Sequence, residues 1–201
     1  MGAIFQSLGR TIIAGVVVLI VLLIILALAA GARVPVGDHA WWMFGMRWLH
    51  VTAGVMWIGL LWYFNFVQTP SMPKIPDEQK PAISKVIAPT ALFWFRWAAM
   101  ATIVLGLILA WMNGYLVQAL TLQKPFTAIG LGAWLGTIMW FNVWFIIWPN
   151  QKKALGIVTV PPNEKAAAAK TAGMASRINT MLSIPMLYFM VAQSHGGLAF
   201  P

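Results

Sequence analysis

Residues 11–31, TIIAGVVVLIVLLIILALAAG, run for about 20 residues without one charged side chain. A helix of that length crosses the hydrocarbon core of a bilayer, and an apolar run this long has no comparable place in a soluble fold. The rest of the chain agrees. Of 201 residues, 61% are hydrophobic and 8% charged, against roughly a quarter charged in ordinary soluble domains. Mean hydropathy is +0.81. The expectation is an all-α membrane protein, a single integral membrane domain over residues 1–201. Its bundle has about five transmembrane helices near 11–31, 41–68, 92–111, 126–148 and 178–194. The first apolar run exceeds the h-region of a signal peptide, so it reads as a retained anchor.

The segments between the spans carry the punctuation. Residues 69–90 are rich in proline and charge and read as a loop with at most one interfacial turn. Asn113 and Gly114 end the third span, Pro149 and Asn150 the fourth, and residues 151–176 form a second long loop. Pro185 sits inside the fifth span as a kink. Absence of cysteine excludes disulfides, thiolate metal sites and covalent c-type heme within this sequence.

The net charge of +9 is no nucleic-acid signal, because the basic residues are scattered over short loops. With a cytoplasmic N-terminus and a periplasmic C-terminus, Arg10, Lys74, Lys80, Lys85, Arg96, Lys152, Lys153, Lys165, Lys170 and Arg177 lie inside. Only Arg33, Arg47 and Lys124 lie outside. That bias is the positive-inside pattern and decides the expected orientation.

Two constellations carry chemistry. In the stretch 48–68, WLHVTAGVMWIGLLWYFNFVQ, His50, Gly54, Trp57, Leu61 and Asn65 recur at helical steps and share one face. Imidazole is the commonest metal ligand, and a glycine one turn on lets a flat porphyrin approach the backbone. That reading makes His50, Gly54 and Trp57 part of a heme b site. The other reading is helix packing, in which Gly54 admits a neighbouring helix and His50 donates a hydrogen bond to it. His50 lies about 13 Å below Trp41 at 1.5 Å per residue, in the outer half. His195, at the outer end of the fifth span, is the candidate second axial metal ligand, unless its Gly196–Gly197 neighbours leave it on a solvated terminus. His39 lies in the outer loop.

The second constellation is at the inner end, where Arg96 enters the third span and Asn65, Asn142 and Asn179 lie near the ends of theirs. No carboxylate lies within a span, so Arg96 either snorkels to lipid phosphate or joins Asn65 and Asn142 in a pocket for an anion or a heme propionate. Asp38 is the only outer carboxylate, which leaves a hydrolytic triad without support. A transporter lacks its usual marks too, since the chain has neither an internal repeat nor a broken-helix pair.

Three segments, HVTAGVMWIGLLWYFNFVQ (50–68), FNVWFIIWPNQKKALG (141–156) and ASRINTMLSIPMLYFM (175–190), resemble the urate oxidase N-terminal family. This is the membrane domain of bacterial urate hydroxylases linked to cytochrome c. The resemblance runs from about residue 41 onward, and WPNQKK is its most specific block. It implies a multi-pass bundle in the bacterial cytoplasmic (inner) membrane, tied to oxidation of urate. Electrons leave through a C-terminal c-type cytochrome domain in that family. This sequence departs from the pattern as a short form without that domain, so a c-type cytochrome partner or another membrane subunit is expected to supply the exit. The alternative is a non-catalytic accessory subunit of a respiratory, photosynthetic or oxygenase complex, for which 12 Trp and 11 Phe suit lateral packing. A weaker likeness joins His50, Trp57, Gly59 and Tyr63, whose spacing is similar to that of small membrane protoporphyrinogen oxidases. That family's closing basic and histidine residues are replaced here by NFVQT.

Overall fold

The structure, a computed structural model, describes residues 2–198. Its helices in chain order are α1 (Gly2–Phe5), α2 (Leu8–Ala30), α3 (His39–Trp62), α4 (Thr69–Ser71), α5 (Lys80–Ala82), α6 (Ala88–Met112), α7 (Leu116–Leu120), α8 (Thr127–Phe141), α9 (Trp148–Ala154) and α10 (Pro162–His195). The all-α class is observed. Chain contacts divide it into two units, Met1–Phe44 and Gly45–Pro201. In the first, α2 contains no buried residue, and Gly31 ends it in the left-handed conformation that glycine adopts without strain. Nearly all its apolar side chains are exposed, the arrangement expected of a helix whose solvent is lipid.

The second unit differs from the sequence expectation where prolines were taken as stops. Helix continues through them by widening. π-Helical turns span Tyr63–Gln68, Ile83–Ile87 and Asn142–Ile147, and Pro70, Pro89 and Pro149 each follow two residues later. Proline has no N–H, and its ring collides with the carbonyl four residues back. In all three cases the residue just before the proline reaches back five positions instead of four: Thr69 to the Phe64 carbonyl, Ala88 to Ile83 and Trp148 to Val143. One extra residue is absorbed and the rod goes on.

The expected loop over 69–90 therefore shrinks to residues 75–79. The fourth segment runs past Pro149 to Ala154, and the second long loop shrinks to residues 155–161. At Asn113 and Gly114 the stop does occur. Gly114 takes φ +75°, and the Asn113 amide closes on the Leu109 carbonyl at 2.7 Å. The short α7 that follows had no counterpart in the sequence reading. Beside it Tyr115 stacks on Phe126, and burial raises its phenol above the ordinary range, partly offset by the charge of Arg47.

Among the described residues, four helical segments are long and apolar enough to cross a membrane: Leu8–Ala30, His39–Lys74, Lys80–Met112 and Thr127–Ala154. The fifth expected span, 178–194, is the second half of α10. That helix is not among the four, because no 18-residue stretch of it is apolar enough, the second half itself carrying Asn179, Pro185, Gln193 and His195. Pro185 lies inside α10, and the helix runs on both sides of it.

Successive long helices of the second unit are antiparallel, and α10 packs along α8 and α9. Small residues allow this. Ala168, Ala172, Ala175, Asn179, Ser183 and Met186 recur at steps of three and four and are all buried. The core joins Trp57, Leu61 and Phe64 from the α3 segment, Leu92 and Phe95 from α6, Met139 and Val143 from the α8 segment, and Met186 from α10.

Candidate functional site

His50 faces α6. Its Nδ1 lies 2.8 Å from the Thr102 carbonyl oxygen, which can only accept, so Nδ1 carries the proton and Nε2 keeps its lone pair. The ring rests against Gly106, where a Cβ would come within 2.8 Å of the His50 Cε1. The glycine that makes room for the imidazole is therefore Gly106 on the neighbouring helix. Gly54 meets Thr102, with 3.8 Å between its would-be Cβ and the threonine Cγ2. Trp57 is 1% exposed in the core, and its indole N–H has no acceptor.

His195 lies on the last residue of α10, exposed, with Nδ1 3.1 Å from the Val191 carbonyl of its own helix. The two histidines share no partner. Each has a backbone carbonyl beside Nδ1, which places the proton there and leaves the lone pair on Nε2. Among the described residues no group of three or more histidine or carboxylate side chains is gathered for a metal ion.

The inner constellation is rearranged. Asn65 donates to the Ser176 hydroxyl at 2.8 Å and to the Leu61 carbonyl at 2.9 Å. Asn142 donates to Asn179 Oδ1 at 2.8 Å, and Asn179 donates in turn to the Met139 carbonyl at 2.9 Å. Trp62 donates to Ser183 at 3.0 Å. Ser176, Asn179 and Ser183 thus form a polar stripe on α10 that receives the α3 and α8 segments. The stripe is legible in the sequence at steps of three and four, although Ser176 and Ser183 were not singled out there.

Neither asparagine joins Arg96. Its guanidinium lies 3.4 Å over the Trp148 ring, the side chain is 9% exposed, and Nη1 has no hydrogen-bond partner. Arg96 therefore does not snorkel. It turns inward onto the tryptophan of the WPNQKK block, where an aromatic face replaces the missing carboxylate.

This division of labour is testable. Trp148→Leu removes the ring and is expected to cost on the order of 1–2 kcal/mol. Arg96→Met keeps the length without the partly unsatisfied charge and is expected to fall within about 1 kcal/mol of the wild type, or above it. Denaturant titration in mixed micelles reads both. Equal losses in the two variants would mean that the guanidinium has a partner other than the ring.

At the same end of the unit, where basic residues gather, a cavity of about 210 Å³ opens between the α3, α6, α9 and α10 segments. Asn65, Gln68, Gln151, Ser176 and Arg177 supply its polar lining. Gln68 and Gln151 were not among the sequence candidates. Their signal was two glutamines at the proline-interrupted ends of apolar helices.

Comparison with known proteins gives one positive result. No curated protein and no solved structure matches. The family model described as "Urate oxidase N-terminal" matches residues 115–200, from the turn before α7 through α10. This stretch holds two of the three resembling blocks, 141–156 and 175–190, while the block at 50–68 lies outside it. The match to the urate oxidase N-terminal family thus covers residues 115–200, a little under half of this membrane protein, and takes in Trp148, Asn142, Asn179 and the polar stripe of α10.

Proposed function

We propose that the chain is the membrane component of a urate-oxidising system in a bacterial cytoplasmic membrane, N-terminus inside. In this reading His50 would hold a b-type heme, with His195 as the candidate second ligand. The observation that carries the reading is the hydrogen bond from His50 Nδ1 to the Thr102 carbonyl. A carbonyl partner fixes the tautomer, orients the ring and raises the basicity of Nε2, as the outer partners of metal-bound histidines do. A heme held there supplies one-electron chemistry. The chain's own part is to present Nε2, to keep the imidazole against Gly106, and to surround it with apolar helix. A c-type cytochrome partner or another membrane subunit would be the acceptor of its electrons.

The test is a reduced-minus-oxidised visible spectrum of the full chain in mild detergent, for the wild type and His50→Ala. A b-type spectrum lost completely in the variant is the expected result. A featureless spectrum from folded wild-type protein overturns the reading.

One observation favours a second reading, that of an accessory subunit. Helix α2 is apolar along its length and has no buried residue, a surface suited to lipid or to other membrane helices. That reading predicts stoichiometric co-purification with a larger complex and no intrinsic chromophore.

A further inference from the structure

We propose that the cleft at the basic end of the second unit seats the headgroup of an anionic phospholipid, with Arg177 and Thr69 on its phosphate. This seat is independent of any heme, because His50, Thr102 and Gly106 all lie outside the cleft lining.

Three observations converge. The first is charge. The two stretches at this end, 69–90 and 151–177, hold eight basic side chains against three carboxylates. Two of those carboxylates are already engaged, Asp77 by Lys80 and Glu164 by Lys153. Among the described residues, Lys74, Lys85, Lys165, Lys170 and Arg177 make no ion pair. Such an excess attracts anionic lipid, and a basic pocket between membrane helices holds one headgroup in place.

The second is a shaped seat. The cleft measures about 210 Å³, and α10 lines it with Ala169, Gly173 and Arg177. Lys165 precedes them at the same four-residue step, so a stripe of small side chains has a cation at each end. The Lys165 ammonium lies 4.0 Å from where a Cβ on Gly156 would stand, beside the lining residue Leu155. Thr69 faces the stripe from the α3 segment. Arg177 and Thr69 are both exposed, and neither side chain is engaged by another described residue. A guanidinium meets a phosphate through two parallel N–H donors, and a hydroxyl adds a third.

The third is depth. Three membrane-length segments terminate at this end, at Lys74, Lys80 and Ala154. Phe66, Phe93 and Trp94 adjoin lining residues in the chain and are exposed, as aromatic residues are where hydrocarbon meets headgroups. Ala154 and Leu155 add carbon surface beside the charges. An amphiphile at headgroup level uses both kinds of surface, whereas a dissolved anion uses only one.

The experiment titrates the full chain in neutral detergent with phosphatidylglycerol and, separately, with phosphatidylcholine of the same acyl chains. Native mass spectrometry reads the lipid retained. Three variants separate a seat from a diffuse field. Arg177→Gln removes the phosphate fork. Gly173→Leu fills the cleft from a position where a Cβ meets no atom within 4 Å. Lys74→Gln removes an equal charge at the same end but outside the lining.

One phosphatidylglycerol is expected to bind about tenfold or more tightly than phosphatidylcholine. Binding weakens by about tenfold in Arg177→Gln, is lost in Gly173→Leu, and changes by no more than about twofold in Lys74→Gln. Positions 173 and 177 are exposed, so both variants there are expected to keep the wild-type melting temperature in lipid-free detergent. Equal retention of the two lipids overturns the proposal. Equal losses in Arg177→Gln and Lys74→Gln overturn it too, since the attraction is then a diffuse field. Displacement of the lipid by excess inorganic phosphate likewise overturns it, because the site then takes a free anion.

Discussion

Gly130→Ala is expected to destabilise the bundle by on the order of 3 kcal/mol and to detach α7 from α8. A Cβ at position 130 would lie 2.1 Å from the Ala119 carbonyl oxygen and 2.9 Å from Leu122 Cδ2. The first of these atoms is backbone and cannot rotate away. The corner is held from other sides as well. Trp134 donates to the Leu120 carbonyl at 2.9 Å, and the Thr127 hydroxyl to the Leu122 carbonyl at 3.1 Å. Relief of the clash must therefore come from movement of a whole segment.

Gly136 on the same helix is the control. Its would-be Cβ meets only side-chain atoms, Ile103 Cδ1 at 3.9 Å and Met186 Cγ at 4.0 Å, which is ordinary van der Waals contact. Gly136→Ala is expected to be neutral or stabilising by up to about 1 kcal/mol through helix propensity. Denaturant titration in mixed micelles ranks the two. Amide hydrogen exchange over 116–122 should rise only in Gly130→Ala. Similar stabilities for the two variants would mean that α7 does not sit against Gly130.

Asn179→Leu is expected to cost about 2 kcal/mol despite adding apolar surface. The side chain is 0% exposed and ties α10 to the α8 segment at two points, accepting from Asn142 and donating to the Met139 carbonyl. Leucine at 179 leaves the half-buried Asn142 amide without its acceptor, and an orphaned donor costs more than the bond itself contributed. The second substitution should then recover stability. Asn142→Leu in the Asn179→Leu background removes the orphan, and a coupling of about 0.6–1.7 kcal/mol is expected, the range for polar contacts between membrane helices. Strict additivity of the two changes would show that the asparagines do not act as a pair.

Much of the fold is legible in the residues. The charge-free run at 11–31 permits only a helix in lipid, since backbone groups there have no water to bond and must satisfy one another. The face shared by His50, Gly54, Trp57, Leu61 and Asn65 follows from a period of 3.6. All five are at least partly buried in the structure. The Gly114 stop was readable because a positive φ is inexpensive only for glycine.

Where proline was taken as a terminator, the inference failed for one physical reason. Proline forbids the bond to the residue four back, yet the preceding residue can still bond five back, and three π turns use that exit. No local pattern separates that outcome from a helix end, because both begin with the same lost bond at the proline.

The candidate site divides along the same line. Residue type alone singled out His50, His195, Arg96 and the asparagines, since a polar or ionisable group in a span must be paired with something. The identity of each partner was decided only by packing. Gly106 and Thr102 receive the imidazole, Trp148 receives the guanidinium, and α10 rather than Arg96 receives both asparagines. A sequence determines which groups require a partner, because that requirement is a property of the side chain and its solvent. The fold decides which partner answers, because direction and distance exist only once the helices have packed.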